Sequence, residues 1–174
     1  MSVQTTKVHT NETIRSAIRD QETYESTYGN ISDWDVSNVT DMKDLFKNEA
    51  VFNDDISRWK VSNVTTMEGM FFNACAFDRD LSAWDIGMVT NMKNMFTNAS
   101  AFTGGLSWGS KTANVTTMVG MFSGATTFNE DISSWDVSRV TDMANMFENA
   151  ILFNQDLSTW DVCATHKNNA GTPS

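Results

Sequence analysis

The 174-residue sequence predicts an α/β repeat solenoid, with one short strand and one short helix per repeat and a capping helix at the N-terminal end. Three observations carry that prediction. Tryptophans recur about every 25 residues, other apolar residues keep fixed positions behind each of them, and a helical pattern precedes the first.

All six tryptophans mark the repeat: Trp34, Trp59, Trp84, Trp108, Trp135 and Trp160, at spacings of 25, 25, 24, 27 and 25 residues. With Trp as position 1, Met stands at position 9 in every unit: Met42, Met67, Met92, Met118 and Met143. Position 12 is Leu45, Met70, Met95, Met121 and Met146. Ten of the eleven phenylalanines form two further columns, one from Phe46 to Phe147 and one from Phe52 to Phe153. A regularity shared by so many columns is not accidental.

Within a unit, positions 24, 1 and 3 (Ser, Trp, then Val or Ile) alternate with polar residues, which indicates a short strand. Thr40, Thr65, Thr90, Thr116 and Thr141 share position 7, where threonine suits the N-cap of a helix over positions 8–14. Positions 9, 12 and 13 would be its inward face. Position 15, which is Asn48, Asn73, Asn98, Gly124 and Asn149, suits the left-handed residue that ends a helix. A ladder of stacked asparagine side chains is a second, compatible reading of that column.

One coil has about nine apolar side chains, worth roughly 1.5–3 kcal/mol each when fully buried. Ordering its residues costs on the order of 1.5 kcal/mol apiece, and a lone coil leaves both faces of its core wet. The coils must therefore stack. Four segments follow: a disordered N-terminus over 1–10, a capping helix over 11–30, the repeat array over 31–162, and a disordered tail over 163–174. Ile14, Ala17, Ile18, Tyr24 and Tyr28 share one face of the capping helix, Asn11 starts it and Gly29 ends it. Nothing of that kind closes the other end, so the last coil is expected to expose apolar edges open to self-association or to another chain.

The motif W-D-V-S-N-V-T-D-M-x-x-M-F-x-N-A-x-x-F-N-x-D-[IL]-S, with the lead-in from Thr27 to Met42, resembles the BspA-like leucine-rich-repeat surface proteins. These include the repeat first catalogued from mycoplasma lipoproteins as a domain of unknown function. The resemblance spans roughly residues 11–162. It implies a right-handed, leucine-rich-repeat-like coil, a cell-surface or extracellular place and an adhesion role, and it carries no catalytic residues. The sequence departs from the pattern around residues 103–114, where unit three lacks one residue and unit four gains about two, and at Met88, where Asn is usual.

The net charge of −10 argues against nucleic acid, since phosphates repel an acidic surface. No apolar run approaches the roughly 18–20 residues that span a bilayer, so no membrane insertion is expected. Residues 1–10 lack the apolar stretch of a secretory signal. Cys75 and Cys163 fit no metal or redox spacing and are expected as free thiols. Six Asn-x-Ser/Thr sequons are by-products of the repeat.

Both histidines, His9 and His166, lie outside the repeats, which excludes a histidine-based catalytic or zinc site in the body of the array. No catalytic residues, cofactor or metal site are expected. Carboxylate columns at position 22 (Asp55, Asp80, Asp131, Asp156) and position 2 (Asp35, Asp85, Asp136, Asp161) invite calcium. They are interrupted by Gly105 and Lys60, and a solvated acidic stripe is the simpler reading. An ice-binding array on the Thr and Ser columns is a weaker alternative.

The candidate contact surface is the stripe at positions 25 and 2: Asp33, Asp35, Arg58, Lys60, Asp85, Asp136 and Asp161. Phe72 joins it as an apolar contact beside Val119, because other units have Lys47, Thr97, Ser123 or Glu148 in its place. Packing on a neighbouring coil is the other reading of Phe72. The expected function is a non-enzymatic module that binds a protein or glycan partner through this face. The alternative is a building block of an assembly, such as a virion, that docks through its uncapped C-terminal end.

Overall fold

The computed structural model describes residues 8–19 and 24–162. The expectations for residues 1–7, for Cys163 and His166, and for a disordered tail over 163–174 lie outside the described residues. Within the segment expected to be unstructured over 1–10, Val8 makes a parallel bridge to Asp35 and His9 is buried against the Trp34 ring, with centroids 4.4 Å apart.

The expected strand and helix in each repeat are absent, so the α/β assignment is wrong. Among the described residues the helices are α1 (Asn11–Arg19), α2 (Tyr24–Tyr28) and two 3-10 turns, Ile31–Asp33 and Gly109–Thr112. Both α1 and α2 lie within the segment 11–30 expected as the capping helix, of which residues 20–23 lie outside the described residues. There is no sheet among the described residues; extended pairing is limited to single-residue parallel bridges. Four of these run at position 8, from Asp41 through Thr66, Asn91 and Thr117 to Asp142.

The sequence itself explains why the helices fail. Position 11 is Asp44, Gly69, Asn94, Gly120 and Asn145, and all five lie at φ of 55–61°. A left-handed residue in mid-segment breaks the right-handed continuity that an α-helix over 8–14 needs. Position 15 is left-handed as well, at φ of 58–70° from Asn48 to Asn149. Asp, Asn and Gly tolerate this region best. The expected strand over positions 24 to 3 fails because aspartates turn the chain just before it, at position 22, and within it, at position 2. The Asp55 carboxylate accepts the Ser57 N–H, and the Asp35 carboxylate accepts the Ser37 N–H. A chain bent at such short intervals still alternates inside and outside without being extended.

Backbone groups released from helix and strand are satisfied between windings, as buried polar groups must be. The N–H groups at positions 9, 11, 13 and 15 donate to carbonyls 8, 10, 12 and 14 of the following winding. In the first winding these are Met42 to Thr66, Asp44 to Glu68, Phe46 to Met70 and Asn48 to Phe72, at 2.7–3.0 Å. The same four bonds recur at each of the next three junctions. Thr65, Thr90, Thr116 and Thr141 each donate both N–H and Oγ1–H to the preceding threonine's carbonyl. This column builds a ladder; it caps no helix.

The core follows the same stacking. Phe46, Phe71, Phe96, Phe122 and Phe147 lie face over face at 5.3–5.8 Å, and the second column, Phe52 to Phe153, at 5.7–6.0 Å. The indole N–H of Trp59, Trp84, Trp108, Trp135 and Trp160 donates to the position-23 carbonyl of the winding before, from Ile31 to Ile132. The irregular stretch near unit four is absorbed by the 3-10 turn at Gly109–Thr112 and by a close approach at Gly104, where any Cβ would collide with the Arg79 carbonyl.

Helix α1 seals the N-terminal end by imitating a winding. Its Ile14, Ala17 and Ile18 are buried on the core. Asn11 Oδ1 accepts the Thr40 and Asp41 N–H groups, in place of the carbonyl that a preceding threonine would offer. The Arg15 guanidinium donates to the Asp41 and Lys43 carbonyls, in place of a preceding winding's N–H groups.

Candidate functional site

The charged stripe was expected on a sheet face, and there is no sheet among the described residues. The structure brings four of its members together. Asp33, Asp35, Arg58 and Lys60 line an open cleft of about 240 Å³ with Ser32, Trp34 and Val36. The first two belong to the lead-in and first winding, the other two to the junction with the second. Asp85, Asp136 and Asp161 lie on later windings and do not line it.

Opposite charges face each other in this cleft. Arg58 reaches Asp33 at 3.3 Å and the Ser32 hydroxyl at 3.2 Å. Both members of the Arg58–Asp33 pair are about 70% exposed (68% and 70%), so the pair contributes little stability and remains open to exchange for a ligand group. Asp35 is half-buried and its carboxyl is held below the ordinary range, first by hydrogen bonds from Ser37 and then by the Lys60 charge. The cleft therefore offers two cations and two anions around one concavity.

Phe72 is not an exposed contact. It is half-buried, with the Lys47 ammonium of the preceding winding 5.4 Å from its ring centroid, a cation–π arrangement. A second concavity, of about 170 Å³, lies between α1 and the first winding, lined by Ile18, Ile31, Phe46, Val51 and Phe52 with the polar Asn53 and Asp54.

The acidic columns have a local explanation. Asp55, Asp80, Asp131 and Asp156 each accept the N–H of the serine two residues on. Asp35 and Asp136 do the same with Ser37 and Ser138, and Asp85 with Gly87. The serine hydrogen bonds hold the carboxyls of Asp55, Asp131, Asp136 and Asp156 below their ordinary values. Among the described residues no three His, Cys, Asp or Glu side chains converge on a point that could hold a metal ion. No helix there is long and apolar enough to cross a membrane. Cys75 is a free, exposed thiol.

In the asparagine column, Asn73 donates to Asn48 at 2.8 Å and Asn98 donates to Asn73 at 2.9 Å. Asn149 continues the left-handed conformation beyond Gly124. Two features escaped the sequence reading. One is the left-handed column at position 11, whose signal was its Asp, Gly, Asn, Gly, Asn composition. The other is the pair Ile151 and Leu152, 75% and 55% exposed, at positions filled elsewhere by Ala, Val, Cys, Ser or Thr.

A family model described as Mycoplasma protein of unknown function, DUF285, matches residues 12–111 and again 107–170. No curated protein and no solved structure matches the chain.

Proposed function

The chain belongs to the DUF285 family of Mycoplasma proteins of unknown function, and from that premise we propose that it is a non-enzymatic interaction module. It binds a protein or glycan partner through the charged cleft at the start of the array. The observation that carries this reading is the meeting of Asp33, Asp35, Arg58 and Lys60 around one open concavity. Stacking also supports it, because a rigid array holds such a cleft in fixed geometry without a binding partner. The low-lying carboxylates are accounted for by turn hydrogen bonds and, for Glu68, by Lys43 and Asn91 working against its burial, so they need no catalytic role. The finer likeness to BspA-like surface proteins favours adhesion as the setting.

The test is binding of the full chain to a panel of glycans and extracellular-matrix proteins, compared with a variant carrying Arg58→Glu and Lys60→Glu. At least one ligand should bind and lose about tenfold in affinity, or roughly 1.4 kcal/mol, while the melting temperature stays unchanged. Binding indifferent to both charge reversals would remove the cleft from the account.

A second reading has an observation of its own. The last winding has no counterpart of α1 among the described residues, and Ile151, Leu152 and Val162 are exposed there. This favours a building block that docks through its C-terminal end.

A further inference from the structure

We infer that the C-terminal end is a docking edge for one further winding of the same 25-residue pattern, laid parallel and supplied by a chain segment that has no lid over its own leading edge. This rests on the building-block reading and names its partner.

The argument is one of donors and acceptors. At four successive junctions, N–H groups 9, 11, 13 and 15 are taken by the carbonyls of the next winding. In the last winding these groups belong to Met143, Asn145, Phe147 and Asn149, and none of the four has a backbone acceptor among the described residues. Among the described residues the Thr141 carbonyl likewise lacks the threonine that Thr40, Thr65, Thr90 and Thr116 each receive. Ile31, Ile56, Leu81, Leu106 and Ile132 each accept an indole N–H from the winding that follows, whereas Leu157, among the described residues, accepts the Trp160 backbone N–H and no indole. The edge is thus set for carbonyls at alternate positions, one threonine and one indole. That is the leading face of another winding.

Side chains point the same way. Ile151 and Leu152 replace the small residues of the inner windings, Cys75 and Ala76 or Ser100 and Ala101, and both are exposed. Phe147 and Leu157, whose inner counterparts such as Phe96 and Leu81 are fully buried, are only partly covered.

A second copy of this chain does not fit. Its leading carbonyls on Asp41 and Lys43 are already taken by Arg15, and its Thr40 N–H by Asn11. Two C-terminal ends face to face would set N–H against N–H. The partner is therefore a lidless array of the same repeat, joined head to tail.

The experiment follows amide exchange in the labelled full chain. Alone, the amides of Met143, Asn145, Phe147 and Asn149 should exchange at least a hundredfold faster than those of Met92, Asn94, Phe96 and Asn98. The probe is unlabelled full chain carrying Asn11→Ala and Arg15→Glu, which opens the lid. With it, the four amides should slow about tenfold or more, and Leu152→Lys in the labelled chain should abolish the effect. If the probe does not fold, a copy of residues 135–159 inserted after Thr159 replaces it, and the same slowing is expected in cis. Four amides that do not respond to a folded probe or to the inserted winding overturn the inference. So do amides that are already slow alone and quicken on deleting residues 163–174, which would make the chain's own tail the occupant. Association with the probe that leaves these amides and Leu152→Lys without effect would sink this edge while sparing the building-block reading.

Discussion

Asn98 separates two contributions that the repeat always presents together, a left-handed backbone and a side-chain ladder. It lies at φ 58° and donates to Asn73 at 2.9 Å. Asn98→Gly keeps the backbone and loses the ladder bond, worth roughly 0.5–1.5 kcal/mol. Relief of the left-handed penalty and the extra freedom of glycine, each of order 1 kcal/mol, offset one another. The glycine variant should therefore lose about 0.5–1.5 kcal/mol, the ladder bond alone. Asn98→Ala loses the same bond and the polar group that lets Asn tolerate the left-handed region; its strain of roughly 1–2 kcal/mol there exceeds glycine's extra freedom by about 0.5–1 kcal/mol. With a urea slope of about 2 kcal/mol per molar, the alanine midpoint should lie some 0.25–0.5 M below the glycine midpoint. Urea unfolding followed by tryptophan fluorescence measures both, and the slopes should agree. Gly124, at φ 70° in the same column, shows that glycine is accepted there. Equal midpoints for the two variants would mean that positive φ is not what this column demands.

Phe96→Ala, at a fully buried place in the middle of its column, should cost about 3–5 kcal/mol. Phe147→Ala, partly covered at the end of that column, should cost less than half as much in the same denaturation assay. Gly104→Ala should lower the melting temperature, because its Cβ would collide with the Arg79 backbone carbonyl and crowd the Phe102 ring; Gly109→Ala meets no atom and should be penalised only by its φ of 52°. Acid should destabilise the protein. Carboxyls such as Asp55 and Asp136 sit below their unfolded values, so their stabilisation is complete above roughly pH 4–5 and is lost as pH falls through the folded values. The double variant Asp55→Asn and Asp136→Asn keeps an acceptor oxygen for each serine N–H, so its melting temperature should fall less steeply below pH 4. An unchanged acid slope would show that these turns are not what titrates.

The repeat register was legible because apolar columns are a property of residue type and spacing, and stacked rows of Trp, Met and Phe are the one arrangement that keeps them all dry. The asparagine column was legible for a similar reason, since few residue types suit a left-handed backbone. The error lay in reading positions 9, 12 and 13 as helical and positions 24 to 3 as a strand. Those periodicities report which side chains point inward, and a chain of tight turns produces the same pattern. The Asp, Gly and Asn of position 11 held the correction.

Placement of the charges was a different matter. Nothing local to Asp33, Asp35, Arg58 or Lys60 says that they share a cleft, because that depends on how far one winding is displaced from the next. The amino-acid order dictated an inward set and an outward set for every repeat. Only the packed chain chose the neighbours, since hydrogen bonds between windings are made by backbone groups that carry no trace of residue identity. For the same reason the donors at Met143, Asn145, Phe147 and Asn149, unmatched among the described residues, stand out only against windings that each give theirs to the next.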